Sequence, residues 1–191
     1  MARGLSRCLR CREAGPGQLH CCLARVDYAH PWSGLVARLK HEPAWARHLA
    51  LLLADTPGLP ELLGEVELIA PIPLSPARLR ERGYNQAWEL TRALRRLLPG
   101  KAKALPDLLL RRPQAAVQHE LERAQRFANT EHAYAVVAPR QSHLRQRHVL
   151  LIDDVMTTGA TLEAAATVLL AAGATRVSAL VFARTPAPET D

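Results

Sequence analysis

From residue 66 onward, the apolar positions alternate between runs typical of strands and spacings typical of helices. The four predicted strands are residues 66–72, 105–110, 149–152 and 177–182. The segment 149–152 is entirely apolar, as expected for a central strand of a parallel sheet. Helices are predicted at residues 86–98, with Asn85 as N-cap, and at residues 162–172, ended by Gly173. This alternation predicts right-handed βαβ units in an α/β fold, with a parallel sheet flanked by helices.

The first 60 residues and the last six have different patterns. Residues 1–30 contain all four cysteines and few apolar runs, which predicts a small Cys-rich knuckle. In residues 31–60 the apolar side chains recur at helical spacing, and the prolines at 57–60 are predicted to end that helical segment. Residues 186–191 are predicted to be a disordered tail. The core of the fold is therefore expected at residues 61–185.

Length and composition agree with a single globular unit. A chain of 191 residues can bury one core, and 48% apolar with 23% charged residues is ordinary for a soluble protein. No stretch approaches the roughly 18 consecutive apolar residues of a membrane-spanning helix. The N-terminus has no apolar core of signal-peptide length. We therefore expect a cytoplasmic protein without membrane insertion.

The net charge of +7 comes mostly from arginine. Its planar guanidinium group suits phosphate oxygens, so an anionic ligand is one explanation of this charge. A nucleic acid partner is a second explanation, although the arginines are scattered along the chain. A coding bias toward arginine and alanine is a third. Net charge bears on association and not on the fold, so these alternatives stay open.

Residues 149–161 carry the pattern that is richest in chemistry. The predicted strand is followed by two adjacent aspartates, Asp153 and Asp154, and a short loop of small and hydroxyl residues leads into a helix. Ligands of open parallel sheets bind outside the carboxyl ends of the strands. Backbone N–H groups, threonine hydroxyls and the positive end of the helix together form a site for a phosphate dianion, which Gly159 allows the backbone to approach. The carboxylates are explained if the same ligand carries vicinal sugar hydroxyls.

This segment has two other interpretations. A strand, a capped turn and a helix without a ligand would explain a lone pair of aspartates, but not a pattern about a dozen residues long. A phosphatase loop with a nucleophilic aspartate usually needs Asp-x-Asp, whereas Asp153 and Asp154 are adjacent. The segment therefore favours binding of a sugar phosphate.

The segment 149–161 resembles the signature of type I phosphoribosyltransferases that bind 5-phosphoribosyl 1-pyrophosphate (PRPP). Further segments are similar to the ComF family, which includes competence-associated and GntX-like proteins. These segments are residues 39–41, 70–75, 78–86 and 118–129. The run Arg82-Gly83-Tyr84-Asn85-Gln86 is the most distinctive of them. The resemblance implies the type I phosphoribosyltransferase fold.

The resemblance also implies roles for particular residues. Asp153 and Asp154 would bind the ribose hydroxyls and serve in catalysis. The rest of the PRPP loop would be Val155, Met156, Thr157, Thr158, Gly159, Ala160 and Thr161, of which the threonines and the glycine hold the 5-phosphate. Pyrophosphate would be bound by Pro73, Leu74 and Ser75, and by Arg82.

Residues 118–129 resemble the flexible catalytic loop of the family, which closes over the substrate and excludes water. Arg123 and Arg126 would share a helix face there and are predicted to be catalytic. The implied reaction transfers the phosphoribosyl group of PRPP, with Mg²⁺, to an acceptor and releases pyrophosphate. The acidic residues at 119–122 depart from the small, hydroxyl-rich stretch that is usual in the family.

The alternative is a non-catalytic protein of the same fold that acts in DNA uptake during natural competence. Its partner would be single-stranded DNA or a protein of the competence machinery. A second copy of the chain, giving a homodimer, is a further candidate partner.

The clustered cysteines indicate a metal rather than disulfides in a cytoplasmic chain. Cys8 and Cys11 form a half-site for structural Zn²⁺. In place of the second Cys-x-x-Cys of the family, this chain has Cys21-Cys22, and adjacent residues of an extended chain point in opposite directions. The predicted zinc ligands are Cys8, Cys11 and Cys22, with His20 or His30. A knuckle with free thiols and no metal is the alternative.

Overall fold

A five-stranded parallel sheet organises the fold in a computed structural model that describes residues 17–98, 100–112 and 133–186. The strands are β1 (Cys22–Asp27), β2 (Leu68–Pro71), β3 (Lys103–Ala104), β4 (Leu109–Arg111), β5 (Tyr134–Val136), β6 (His148–Met156) and β7 (Arg176–Arg184). The helices are α1 (Trp32–Leu39), α2 (Trp45–Ala54), α3 (Leu59–Glu65), α4 (Pro76–Arg82), α5 (Gln86–Leu97) and α6 (Ala160–Ala171), with a 3-10 helix at Ala138–Leu144. The sheet order is β1-β7-β6-β2-β3, and β4 pairs antiparallel with β5.

Strand β6 lies in the centre of the sheet, between β7 and β2. Its residues 148–154 are all buried. Leu150 and Ile152 contact one apolar cluster, whereas Val149 and Leu151 contact the other. Both faces of the strand are covered, which explains the uninterrupted apolar run at residues 149–152.

Helices cover both faces of the sheet, as predicted. The first face is covered by α1, α2, α3 and α5, whose buried residues include Val36, Leu49, Leu59 and Leu90 around Phe182 of β7. The second face is covered by α6 and the β4–β5 pair, with Leu162, Leu169, Leu109 and Tyr134. Complete burial of a leucine or phenylalanine side chain stabilises a fold by about 1.5–3 kcal/mol. The two clusters therefore hold the sheet, and with it the carboxyl ends of its strands, in place.

The predicted strands and helices of the core are present with shifted ends. The strand predicted at 149–152 extends over all of β6, and the one predicted at 177–182 extends over β7. The segment 105–110, predicted as one strand, instead separates β3 from β4 and contributes only its last two residues to β4. Asn85 caps α5 as predicted, since its side chain accepts a hydrogen bond from the Ala87 N–H at 2.9 Å.

Two features of the N-terminal third differ from the sequence pattern. Cys22–Asp27 forms β1, an edge strand paired with β7, within the range 1–30 for which the sequence predicts a small Cys-rich knuckle. The prolines at 57–60 do not end the helical region, because α3 begins at Leu59 after Gly58, which has a φ of 81°. Pro60 lies in the first turn of α3, where its missing N–H would have no partner within the helix anyway.

Within the ranges that the structure describes, none of the helices is long and apolar enough to span a lipid bilayer.

Candidate functional site

The carboxyl end of β6 and the loop that follows it form the candidate site. Strand β6 ends at Met156, and α6 begins at Ala160, so only three residues connect the two elements. The neighbouring strand β2 runs parallel to β6, and the N–H of Ile72 donates to the carbonyl of Ile152 at 2.9 Å. This pairing places the residues after β2 at the same edge of the sheet as the two aspartates.

Asp153 and Asp154 are buried, with 9% and 5% of their surfaces exposed. An oxygen of Asp153 accepts a hydrogen bond from the Asp154 N–H at 2.9 Å. Oδ1 of Asp154 accepts one from Gln86 Nε2 at 3.4 Å, whereas Oδ2 of Asp154 is buried and has no hydrogen-bond partner among the described residues. Buried carboxylate oxygens normally have partners, so the free oxygen is suited to a hydroxyl group of a ligand.

Burial and charge act together on Asp153. Removal from water and, second, the negative charge of Asp154 raise the pKa of Asp153 well above its ordinary value. Carboxyl groups with a perturbed pKa are common at functional sites, where burial and neighbouring like charges tune them for their task.

The loop after the aspartates encloses a small cavity of about 30 Å³, lined by the consecutive residues 155–162. Gly159 precedes α6 with a φ of 82°, in the left-handed region that favours glycine, and provides no side-chain cap. The Thr158 hydroxyl accepts from the Ala160 N–H at 3.4 Å. Backbone N–H groups of the first turn of α6, at the positive end of the helix dipole, thus surround the cavity. This is the geometry of an anion site at a helix N-terminus.

The segment Arg82-Gly83-Tyr84-Asn85-Gln86 connects the site to two other parts of the fold. Gly83 ends α4 with a φ of 80°. The Tyr84 hydroxyl donates to the carbonyl of Leu39 at 2.6 Å, and Asn85 Nδ2 donates to the carbonyl of Ile72 at 2.9 Å. Arg82 Nη1 donates a hydrogen bond to Gln86 Oε1 at 2.6 Å.

Sequence reasoning missed Gln86 and Tyr134 as residues of the site. Gln86 could have been found from the distinctive run that contains it. Tyr134 lies on β5 with its hydroxyl buried and, within the described part of the chain, without a hydrogen bond. Burial raises the pKa of Tyr134, the Arg111 guanidinium lowers it in part, and the Asp153 carboxyl raises it further. No sequence signal marks this position.

Pro73, Leu74 and Ser75, the predicted pyrophosphate loop, follow β2 and are half-buried at the sheet edge. The Ser75 hydroxyl caps α4 by accepting from the Arg78 N–H at 3.3 Å. Arg82, from the end of the same helix, is held against Gln86, which contacts Asp154. The structure therefore brings the predicted pyrophosphate residues and the aspartates to one edge.

Arg123 and Arg126 lie outside the described residues, as does the predicted catalytic loop at 118–129. The two strands that flank this loop in sequence, β4 and β5, are paired, and Arg111 lies opposite Tyr134. The Arg111 guanidinium lies 5.8 Å from the centre of the Tyr134 ring.

Cys8 and Cys11 also lie outside the described residues, so zinc binding stays a prediction. Cys22 belongs to β1, and its sulfur lies 3.7 Å from Met156 Sδ on one face of the sheet. Cys21 Sγ lies 3.3 Å from Ser178 Oγ, and Cys21 packs against the cluster of the opposite face. The two adjacent thiols thus point apart, as expected for extended chain. In the described ranges no three histidine, cysteine or acidic residues are grouped to hold a metal.

Comparison with known proteins identifies the family. A family model described as "Phosphoribosyl transferase domain" matches residues 111–191. The DNA utilization protein YhgH of Escherichia coli is 33% identical over 187 residues, which cover 93% of this chain and 78% of that protein. Competence protein F of Haemophilus influenzae is 31% identical over 163 residues, 82% of this chain and 69% of that protein.

The chain belongs to the ComF family of phosphoribosyltransferase-like proteins. Among solved structures, the glutamine PRPP amidotransferase of B. subtilis in complex with ADP and GMP aligns with a TM-score of 0.42 and 17% identity. That alignment covers 71% of this chain and 25% of the amidotransferase. Membership of the ComF family rests on the sequence relatives.

Proposed function

We propose that this ComF-family protein binds PRPP at the carboxyl edge of its sheet and transfers the phosphoribosyl group to an acceptor. The observation that carries the proposal is the buried Oδ2 of Asp154, which lacks a partner among the described residues and lies directly before an anion-binding loop. A ligand with both sugar hydroxyls and a phosphate matches these two features at once. PRPP has both, and its pyrophosphate would reach the loop after β2.

Each part of the site has a separate task in this proposal. Asp154 and Asp153 orient the ribose by accepting hydrogen bonds from its hydroxyls, and the N-terminal turn of α6 binds the 5-phosphate. In the transfer step, the bond from the anomeric carbon to pyrophosphate breaks and pyrophosphate leaves with the electron pair. The acceptor forms the new bond with its lone pair and gives up a proton. Bound to the ribose hydroxyls, the carboxylates would stabilise the positive charge that develops on the sugar.

The carboxylates also fit the cation that the proposal requires. Mg²⁺ prefers hard oxygen ligands, and the free carboxylate oxygen of Asp154 is one of these. Asp153 and Asp154 would hold Mg²⁺ together with the ligand, and the ion would neutralise charge on the pyrophosphate.

Calorimetric titration tests PRPP binding directly. With Mg²⁺ present, the wild-type protein is expected to bind PRPP, and Asp154→Asn is expected to lose most of the heat of binding. The asparagine keeps the size of the side chain but removes the charge and one acceptor. Glu163→Gln on α6 is the matched control, because Glu163 is in the first turn of the same helix but outside the cavity lining of residues 155–162. Absence of binding by folded wild-type protein would overturn the proposal.

A specific surface feature favours a second candidate function, binding of single-stranded DNA. A cleft of about 200 Å³ lies between α2 and α5 and is lined by Arg47, Arg92 and Arg96 with one carboxylate, Glu89. Glu89 pairs with Arg92 at 3.3 Å, and in the described residues Arg47 and Arg96 have no ion pair. Arginine guanidinium groups in such a cleft suit the phosphates of a nucleic acid backbone.

Trp45, at the start of α2, is flanked by Ala44 and Ala46, which line the cleft, but is not itself part of the lining. Trp45 lies two residues before Arg47, and the Arg38 guanidinium lies 5.4 Å from the centre of a Trp45 ring. Stacking of bases on aromatic side chains next to a positive groove is the usual basis of single-strand binding. The relatives named for DNA utilization and for competence are consistent with this role.

Arg47→Gln with Arg96→Gln is expected to weaken binding of a fluorescent oligothymidine and to leave PRPP binding unchanged. In a plot of log affinity against log salt concentration, the magnitude of the slope is expected to fall by about 1.4. Each single-strand phosphate contact contributes about 0.7 to this slope, and the double variant loses two contacts. Fluorescence anisotropy over a salt series measures both quantities. Arg78→Gln with Arg145→Gln removes the same charge from two exposed arginines outside the cleft. Equal losses in the two double variants would contradict a specific role for the cleft.

A further inference from the structure

Three side chains form a hydrogen-bonded chain between the end of α4 and the end of β6. Arg82 Nη1 donates to Gln86 Oε1 at 2.6 Å, and Gln86 Nε2 donates to Asp154 Oδ1 at 3.4 Å. Gln86 is 6% exposed and occupies the first position of α5, which Asn85 caps. A buried glutamine at a helix start, with both ends of its amide engaged, is therefore fixed in position.

The chemistry of its two neighbours sets the orientation of the Gln86 amide. A guanidinium group can only donate hydrogen bonds, and an ionised carboxylate can only accept them. Oε1 must therefore face Arg82 and Nε2 must face Asp154. The reverse orientation would place the amide NH₂ donor against the guanidinium donors and the amide oxygen against the carboxylate oxygen. Glutamine is suited to this position because its amide supplies an acceptor and a donor.

We propose that Arg82 and Gln86 act as positioning residues for Asp154. Gln86 holds Oδ1 of Asp154, which leaves the buried Oδ2 directed to the ligand, and Arg82 prevents the Gln86 amide from turning over. This inference rests on the proposed PRPP site and adds a connection within it. Arg82, expected at the pyrophosphate, also controls the carboxylate that binds the ribose.

Substitution of Gln86 separates orientation of Asp154 from packing. Gln86→Glu keeps the shape and gains a charged partner for Arg82, but it replaces the donor to Asp154 with a third carboxylate. Its affinity for PRPP with Mg²⁺ is expected to fall by about tenfold or more, and further than that of Gln86→Met, which removes the amide without adding charge. A role limited to packing or to anchoring Arg82 predicts that Gln86→Glu binds like wild type. That result would overturn the inference.

Substitution of Arg82 gives a second readout, with ribose 5-phosphate as the probe. This ligand has the hydroxyls and the phosphate of PRPP but no pyrophosphate. Arg82→Met is expected to weaken its binding several-fold, since the Gln86 amide is no longer held, while Arg80→Met on the exposed side of α4 is expected to bind as wild type. If Arg82→Met lowers affinity for PRPP alone, Arg82 serves only the pyrophosphate and the inference is wrong.

A measurement without ligand distinguishes failure of this inference from failure of the proposed function. The side-chain amide NMR signal of Gln86, assigned by its absence in Gln86→Glu, is expected to shift in both Asp154→Asn and Arg82→Met. It is expected to stay in place in Arg80→Met. If the signal shifts as expected but wild type binds neither ligand, the proposed function fails and the positioning contacts stand. If the signal does not shift, the inference fails whatever the protein binds.

Discussion

Asp153→Asn is expected to make the protein more stable at neutral pH and to abolish detectable PRPP binding. In the folded protein, burial and the charge of Asp154 raise the pKa of the Asp153 carboxyl well above its ordinary value. Ionisation of Asp153 therefore opposes folding. The asparagine keeps the oxygen that accepts the Asp154 N–H and removes the charge, so the hydrogen bond survives without the repulsion.

The sign of this effect fixes its pH dependence. A carboxyl group whose pKa is raised by folding contributes its full stabilisation below the unfolded pKa of about 3.9, and loses it as the pH rises through the folded pKa. Each unit by which folding raises the pKa corresponds to about 1.4 kcal/mol at higher pH. Urea denaturation from pH 4 to 8 is expected to show this loss in wild type and not in Asp153→Asn.

Glu81→Gln provides the control for this series, because Glu81 is an exposed carboxylate on α4. The urea denaturation midpoint of Glu81→Gln, and the dependence of that midpoint on pH, are expected to match those of wild type. A lower stability of Asp153→Asn at pH 7 would contradict the reasoning, since it would mean that the ionised carboxylate stabilises the ligand-free fold. A gain in stability combined with intact PRPP binding would instead show that Asp153 has no part in the ligand site.

The centre of the fold could be predicted from the sequence because its signals are local. Residues 149–152 of β6 are all apolar and are followed directly by two aspartates, so strand, burial and sheet edge follow from one segment. The N-cap of α5 is equally local, since Asn85 and Ala87 are two residues apart. Periodicity and capping describe neighbours along the chain, and these features involve only such neighbours.

The edge strand and the connections within the site depend on distant pairing. Strand β1 has the sequence Cys-Leu-Ala-Arg-Val-Asp, which has no strong strand pattern, and it forms because β7 provides a partner. Gln86 is hydrogen-bonded to Asp154, which is 68 residues away in sequence, and Tyr84 is hydrogen-bonded to Leu39, which is 45 residues away. Contacts of this kind follow from how α1, α5 and β6 pack, which no short segment encodes.

Asn85→Ala is expected to lower the free energy of unfolding by about 2–4 kcal/mol, because one side chain makes two contacts. Oδ1 accepts from the Ala87 N–H as the N-cap of α5, and loss of an N-cap costs about 1 kcal/mol. Nδ2 donates to the carbonyl of Ile72, and an acceptor left without its donor adds about 1–3 kcal/mol. Urea denaturation measures the sum.

Asn85→Asp separates the two contacts. Aspartate caps a helix as well as asparagine does, but it has no N–H to offer the Ile72 carbonyl. We therefore expect it to retain the capping contribution, to lose the second one, and to release the loop of Pro73 to Ser75 that follows Ile72. Calorimetry is then expected to show weaker binding of PRPP and nearly unchanged binding of ribose 5-phosphate, which lacks pyrophosphate. If Asn85→Asp has the stability and the PRPP affinity of wild type, the Asn85–Ile72 contact does not hold that loop. The distinctive Arg-Gly-Tyr-Asn-Gln run would then serve the fold only through its helix cap and its other contacts.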